Sequence, residues 1–247
     1  MRHDYSILNK FGFKIKPVGV KFLLNRLEGI EVIDRNLPLC ETLKEAQERR
    51  AFCIDEQHMT CMGPVLLGMR DPDPIFASGH VGAKEGIYEE PRANRRIYQA
   101  IPRLGKGTVR YVALACLDDL PFEPDVLVIA AELDQAEVIL RAASYSTGRP
   151  LTSRITPVLS CAWILVYPYV TGELNYTVTG IGYGMKAKKL FPEGRFLISL
   201  PFDLIPMVLE NLRNMEWVPR LYTLDEAARK QFAEELLTEL REEYLRG

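Results

Sequence analysis

Apolar positions along this chain follow two different spacings, and the spacings alternate. Tyr5, Leu8 and Phe11 stand three apart ahead of Gly12, which predicts a short amphipathic helix over Asp4–Gly12. Pro17–Leu23 then runs apolar in the manner of a buried strand. Thr42 followed by Glu45 is a capping-box pattern and predicts a helix over Leu43–Ala51. Phe52-Cys53-Ile54 reads as a short strand entering a turn at His58–Cys61, with a helix on Val65–Met69 closed by Asp71-Pro72-Asp73-Pro74. Two further helices are expected over Gly79–Tyr88 and Pro91–Ile101, the second with Pro91 in its first turn.

The clearest strands are Val109–Leu117 and Val126–Ala131, continuous apolar runs of the kind covered on both faces. The corner Pro121–Asp125 between them leaves open whether they pair. Asp134 is expected to cap a helix through Tyr145, stopped at Thr147-Gly148. Leu159–Val170 predicts a helix kinked at Pro168 and ended by Gly172. Asn175–Thr179 and Arg195–Leu200 alternate as strands, and Pro201–Leu212 reads as a helix with Pro201 at its first position. A second capping pattern, Thr223 with Glu226, opens a last helix carrying Leu224, Ala228, Phe232, Leu236 and Leu240.

Strands interleaved with helices predict an α/β fold, or its α+β variant: a mixed central sheet flanked by helices in a single domain with a C-terminal helix. Residues 1–214 form the α/β domain on this reading. Residues 215–247 are a hinge and an amphipathic helix, packed on the same domain or used as a homo-oligomer contact.

Composition narrows the class of protein. With 247 residues, 47% hydrophobic and 26% charged, the chain can bury a full core without staples. A net charge of −2 gives no basic surface for nucleic acid. The N-terminal residues lack an apolar run of signal-peptide length, and the longest apolar stretch, Val158–Val170, is too short to span a bilayer. A cytoplasmic protein with neither nucleic-acid nor membrane partners is the expectation. Five cysteines at irregular spacings, Cys40, Cys53, Cys61, Cys116 and Cys161, make neither a disulfide framework nor a C-x-x-C pair.

Candidate chemistry gathers at three places. Cys61 stands at an expected helix start, where free N–H groups lower a thiol pKa, and His58 is near enough in sequence to act as its base. This makes Cys61 and His58 the candidate catalytic pair, against the plain alternative of an inert packed cysteine. The turn Gly180-Ile181-Gly182-Tyr183-Gly184 follows a strand and precedes Lys186, Lys188 and Lys189. Gly180, Gly182 and Gly184 would converge their N–H groups on an anionic ligand or cofactor, with Lys186 countering its charge. The alternative is a glycine-rich hairpin with a solvated lysine face. The spacing is not a dinucleotide fingerprint. The third place is Cys161, in an apolar run with Trp163, Tyr167 and Tyr169 about it.

With these residues laid out, the chain resembles the uncharacterised prokaryotic domain-of-unknown-function family 169 over roughly Lys16 to Pro201. The resemblance rests on Lys16–Phe22, Cys40, Cys61 with Gly63 and Gly68, Ile101-Pro102 and Pro121–Val126. It rests further on Tyr145 with Thr147-Gly148, Cys161-Ala162 and Tyr169–Gly172. No established activity comes with the family. Its motifs surround Cys40, Cys61 and Cys161, which makes these three the candidate ligands of a metal, zinc or an iron–sulfur cluster. In the family the glycine turn often holds a further cysteine and a following arginine; here Ile181 and Met185 stand in those places. If other members use four cysteines, this chain has lost one ligand unless Cys53 substitutes. The expected function is therefore binding of a small anionic ligand, or of a thiolate-held redox cofactor, in a cysteine-lined pocket. A non-catalytic binding or assembly protein with structural cysteines is the competing expectation.

Overall fold

The computed structural model describes residues 3–246. Its centre is a sheet of six strands, β1 (Val18–Leu23), β2 (Phe52–Asp55), β3 (Tyr111–Cys116), β4 (Val126–Ala131), β5 (Asn175–Val178) and β6 (Phe196–Pro201). They lie in the order β2-β3-β1-β4-β6-β5. All these pairings are antiparallel, and among the described residues parallel pairing is confined to isolated bridges at Val32–Cys53 and Leu37–Met59. β3 and β4 do not pair with each other. β1 lies between them, with Val20 opposite both Leu114 and Val126.

Alternation along the strands separates two cores, because neighbouring side chains point to opposite faces. Val18, Val20 and Phe22 join Phe52, Ile54, Val112, Leu114, Val126 and Val128 in the larger one. Cys53, Ala113 and Ala115 turn the other way, toward Ile30 and Phe122. Both faces are covered, which is why the strands read as continuous apolar runs. The small residues on the second face follow from close packing: a Cβ on Gly19 would lie 2.5 Å from Leu120 Cδ1.

The longer helices are α1 (Pro91–Ala100), α2 (Leu133–Tyr145), α3 (Ile205–Asn214) and α4 (Glu226–Arg246). α2 packs on β4 and β6 through Ala136, Ile139 and Ala142. Its cap is Glu132 rather than Asp134: Glu132 and Gln135 form the reciprocal capping box. The pattern at Thr42 and Glu45 does not close into a box. Glu45 is drawn instead into ion pairs with Arg35 and Arg49, Thr42 Oγ1 donates to the Leu39 carbonyl, and the helix there is only Thr42–Glu45. Pro201 ends β6 instead of starting a helix; Phe202–Leu204 makes a 3₁₀ turn before α3. The α4 cap is likewise Asp225, whose Oδ1 accepts from the Ala228 N–H at 2.8 Å, while Thr223 turns back to the Arg220 carbonyl.

Two compact units divide the chain, one ending at Arg213 and one beginning at Asn214. Among the described residues no helix is long and apolar enough to cross a membrane.

One irregular helix shapes the region that carries Cys161. Ala162–Val166 is wound as a π-helix and is buried throughout, and it continues as an α-helix over Tyr167–Thr171. Pro168 explains the change of winding. It has no N–H, and in an α-helix its ring would press on the carbonyl of Ile164. Widening the turn sends the Tyr167 N–H to the Ala162 carbonyl and leaves the Trp163 carbonyl facing the proline nitrogen. The Trp163 carbonyl is satisfied from outside the helix, by Asn175 Nδ2 of β5 at 2.9 Å. Gly172, in the left-handed conformation, then ends the helix.

Candidate functional site

Three segments far apart in sequence meet beside the larger core. The first is the loop Leu37–Cys40, which runs alongside the second, His58–Cys61: the Leu37 N–H donates to the His58 carbonyl at 2.8 Å and the Thr60 N–H to the Leu37 carbonyl at 3.2 Å. Leu39 is wholly buried and anchors the pair of loops. The Cys61 sulfur completes the join, accepting from the backbone N–H groups of Leu39 and Gly63, both at 3.2 Å. Gly63 permits this closeness. A Cβ there would sit 2.9 Å from Leu39 Cβ and 3.3 Å from Cys61 Sγ. Gly68 closes the same region with φ +68°, its backbone so near Gly105 that a Cβ would lie 2.1 Å from the Gly105 carbonyl oxygen.

The third segment carries Cys161. It is introduced by Leu159, which has a positive φ of 57° although it is not glycine, a strained conformation that surrounding structure must hold. The glycine turn is seated directly against this segment. A Cβ on Gly182 would meet Ser160 Oγ at 2.3 Å, and the Tyr183 N–H donates to the Pro157 carbonyl.

Cys40, Cys61 and Cys161 all line one cavity of about 240 Å³, together with Thr60, Met62, Ser160, Gly184, Met185 and Lys188. The Cys40 and Cys161 thiols share a hydrogen bond. This bond is the main influence holding Cys40 below the ordinary thiol value, with Lys188 adding a smaller pull and burial and Glu41 opposing it. The same bond pushes Cys161 far up, and burial adds to it. Burial also raises Cys61, against the two backbone N–H donors that would favour its thiolate. Cys40 is thus the thiol of the three that ionises first. It is only 7% exposed, while Cys61 and Cys161 are half-buried. Among the described residues no three His, Cys, Asp or Glu side chains are spaced as a ready-made metal chelate.

Of the residues singled out in the sequence, six line one of two cavities, and His58 and Gly182 line neither. Cys40, Cys61, Cys161 and Gly184 meet at the cavity. Gly180 and Lys186 line a neighbouring cavity of about 440 Å³ with Lys189 and Phe191, and Met185 borders both. Lys186 faces Glu193 at 3.6 Å, and the lysine at the thiols is Lys188, paired with Glu41 at 3.3 Å. His58 turns to Asp55, Nδ1 to Oδ1 2.7 Å, and is not among the cavity's lining residues. Cys53 is wholly buried on the opposite face of the sheet and cannot supply a fourth ligand; Cys116 ends β3. Ile181 is exposed. Ser160, Met62, Met185 and Lys188 are cavity residues that sequence reasoning did not select. Adjacency to Cys161 and Cys61 was the available signal for Ser160 and Met62; nothing in the sequence separated Lys188 from Lys186.

Neither the curated proteins nor the solved structures contain a match to this chain. The model of the family described as "Uncharacterised ArCR", domain of unknown function 169, matches residues 6–211. That span runs from the first helical turn to α3 and includes every cysteine and the glycine turn, so the chain belongs to the uncharacterised family 169.

Proposed function

We propose that the three-cysteine cavity is a ligand site, taking a small anionic ligand or a thiolate-held redox cofactor, zinc or an iron–sulfur cluster. The observation that carries this reading is the convergence of Cys40, Cys61 and Cys161, from segments 121 residues apart at the extremes, on one small cavity. The donor set is soft: three thiols, with the thioethers of Met62 and Met185 beside them. Such donors suit zinc, iron–sulfur clusters or copper(I) over magnesium or calcium. Three protein sulfurs with Cys53 out of reach would leave a coordination position for a ligand, which Lys188 is placed to meet if it is an anion. Chelation would require Cys161 to give up its hydrogen bond to Cys40 and lose its proton, so metal uptake would release protons and weaken as pH falls.

Elemental analysis and a visible absorbance spectrum of protein purified without air test this reading. It expects zinc or iron bound in a fixed ratio to the chain and lost in the Cys40→Ala, Cys61→Ala and Cys161→Ala variants. Metal-free, colourless protein that also takes up neither zinc nor iron on reconstitution would overturn the cofactor half of it, and failure of inorganic phosphate or sulfate to slow alkylation of the three thiols would overturn the anion half. The competing reading, a non-catalytic binding or assembly protein, has one observation in its favour: burial is the chief influence raising the Cys61 thiol and adds to the hydrogen bond that raises Cys161, as expected for packed cysteines. It expects cysteines that react with a thiol reagent only after unfolding.

A further inference from the structure

We infer that Cys40 and Cys161 are a redox-active dithiol pair that reduces low-molecular-weight disulfides entering the cavity and closes to an internal disulfide. This rests on the cavity being an accessible thiol site, as proposed above, and does not require that it hold metal. Three observations lead to it. The Cys40 and Cys161 side chains are hydrogen-bonded to each other, and both are free thiols. Both line the same cavity, the route by which a small disulfide would reach either sulfur. Cys61 is set apart from the pair because its sulfur is engaged by two backbone N–H groups, those of Leu39 and Gly63.

Either sulfur of the pair can attack while the other resolves, and the steps balance in the same way from both. With Cys40 as the attacker, its thiolate first attacks one sulfur of a disulfide R–S–S–R. A Cys40–S–S–R bond forms, the R–S–S–R bond breaks, and R–S⁻ leaves to be protonated by solvent. The Cys161 thiol then gives its proton to solvent and attacks the Cys40 sulfur. The mixed disulfide breaks, and the second R–S⁻ departs and is protonated. Two protein thiols have been oxidised to one disulfide and R–S–S–R reduced to two R–SH. Lys188 at the cavity wall favours a disulfide with carboxylate groups, although Glu41 shares its charge.

The test uses the full chain, stripped of metal with a chelator and treated with glutathione disulfide under native conditions. Remaining thiols are then alkylated and the peptides mapped. The expected result is a Cys40–Cys161 linked peptide, release of two glutathione thiols per chain and Cys61 still free. Cys161→Ser should stop at glutathione attached to Cys40, and Cys116→Ser, at a thiol outside the cavity, should react as the unsubstituted chain does. Linkage through Cys61, or thiols that stay reduced until denaturant is added, would overturn the inference, and mapping of the unsubstituted chain decides this even if a variant fails to fold. Metal content, measured on untreated protein, separates the two readings. A metal-free chain that forms the pair sinks the cofactor proposal alone. A metal-binding chain whose stripped form does not oxidise sinks this one alone.

Discussion

Asn175 is the residue whose removal most sharply tests the account of the helix carrying Cys161. It is 1% exposed, at the start of β5, and makes three hydrogen bonds. Its Nδ2 donates to the carbonyls of Trp163 and Arg154 at 2.9 and 3.0 Å, and its Oδ1 accepts from the Arg154 N–H at 2.9 Å. The Trp163 bond is singular, because Pro168 denies that carbonyl its partner within the helix. Asn175→Ala deletes all three bonds and strands a buried carbonyl. At about 1 kcal/mol net for each bond, with about 1 kcal/mol more for the orphaned acceptor, the loss is about 3–4 kcal/mol. For a unit of this size that lowers Tm by roughly 10 °C. Asn175→Asp should do no better, since a carboxylate would then face two carbonyl oxygens. Urea unfolding followed by near-ultraviolet circular dichroism gives the stability, and the native reaction of Cys161 with a thiol reagent, expected to quicken as the helix loosens, gives the local effect. An Asn175→Ala variant within about 0.5 kcal/mol of the parent would refute the claim that the side chain completes the π-helix.

Three further outcomes are expected. Gly63→Ala should destabilise by about 1–2 kcal/mol in urea titration, because the crowding of Leu39, Met59 and Cys61 by the new methyl outweighs the gain in backbone stiffness; equal or greater stability would show that the two loops can part without cost. The rate of Cys40 alkylation, followed by peptide mass spectrometry against pH, should rise through a midpoint below the ordinary thiol value of 9.0. In Cys161→Ala that midpoint should move up, since the lost donor is the chief influence favouring the Cys40 thiolate, and an unmoved midpoint would remove the hydrogen bond from the argument. Lys188→Gln should slow the Cys40 reaction with glutathione disulfide roughly two- to fivefold while leaving that with uncharged hydroxyethyl disulfide unchanged, the difference fading in high salt.

Much of the sheet was legible because its strands are covered on both faces. Val126–Ala131 and Val109–Leu117 read as apolar runs, and β4 fills the first while β3, Tyr111–Cys116, lies within the second. Their order was not legible: that β1 inserts between them depends on contacts that no local pattern encodes. The helix caps show the same limit. Thr42 with Glu45 has the spacing of a capping box, but Arg35 and Arg49 compete for the Glu45 carboxylate and win. Pro168 announced an irregular helix without saying whether it would bend or widen; the widening depends on Asn175, which waits across the gap to β5. At the site the family motifs marked Cys40, Cys61 and Cys161, and no spacing rule does so. Lys186 and Lys188 stand two residues apart at the end of a short helix, about 200° round its axis, so which one reaches the thiols depends on which side of the helix packs toward them.

Whether the three sulfurs are neighbours can be asked without knowing the natural ligand. Arsenite, whose arsenic(III) takes three thiolates at once, should bind the folded, reduced chain one to one and protect Cys40, Cys61 and Cys161 together from alkylation. Replacing any one of the three by alanine should weaken that binding sharply, while Cys53→Ala and Cys116→Ala should not. Arsenite that binds no tighter to the parent chain than to Cys161→Ala, or that leaves any of the three thiols open to alkylation, would contradict the account.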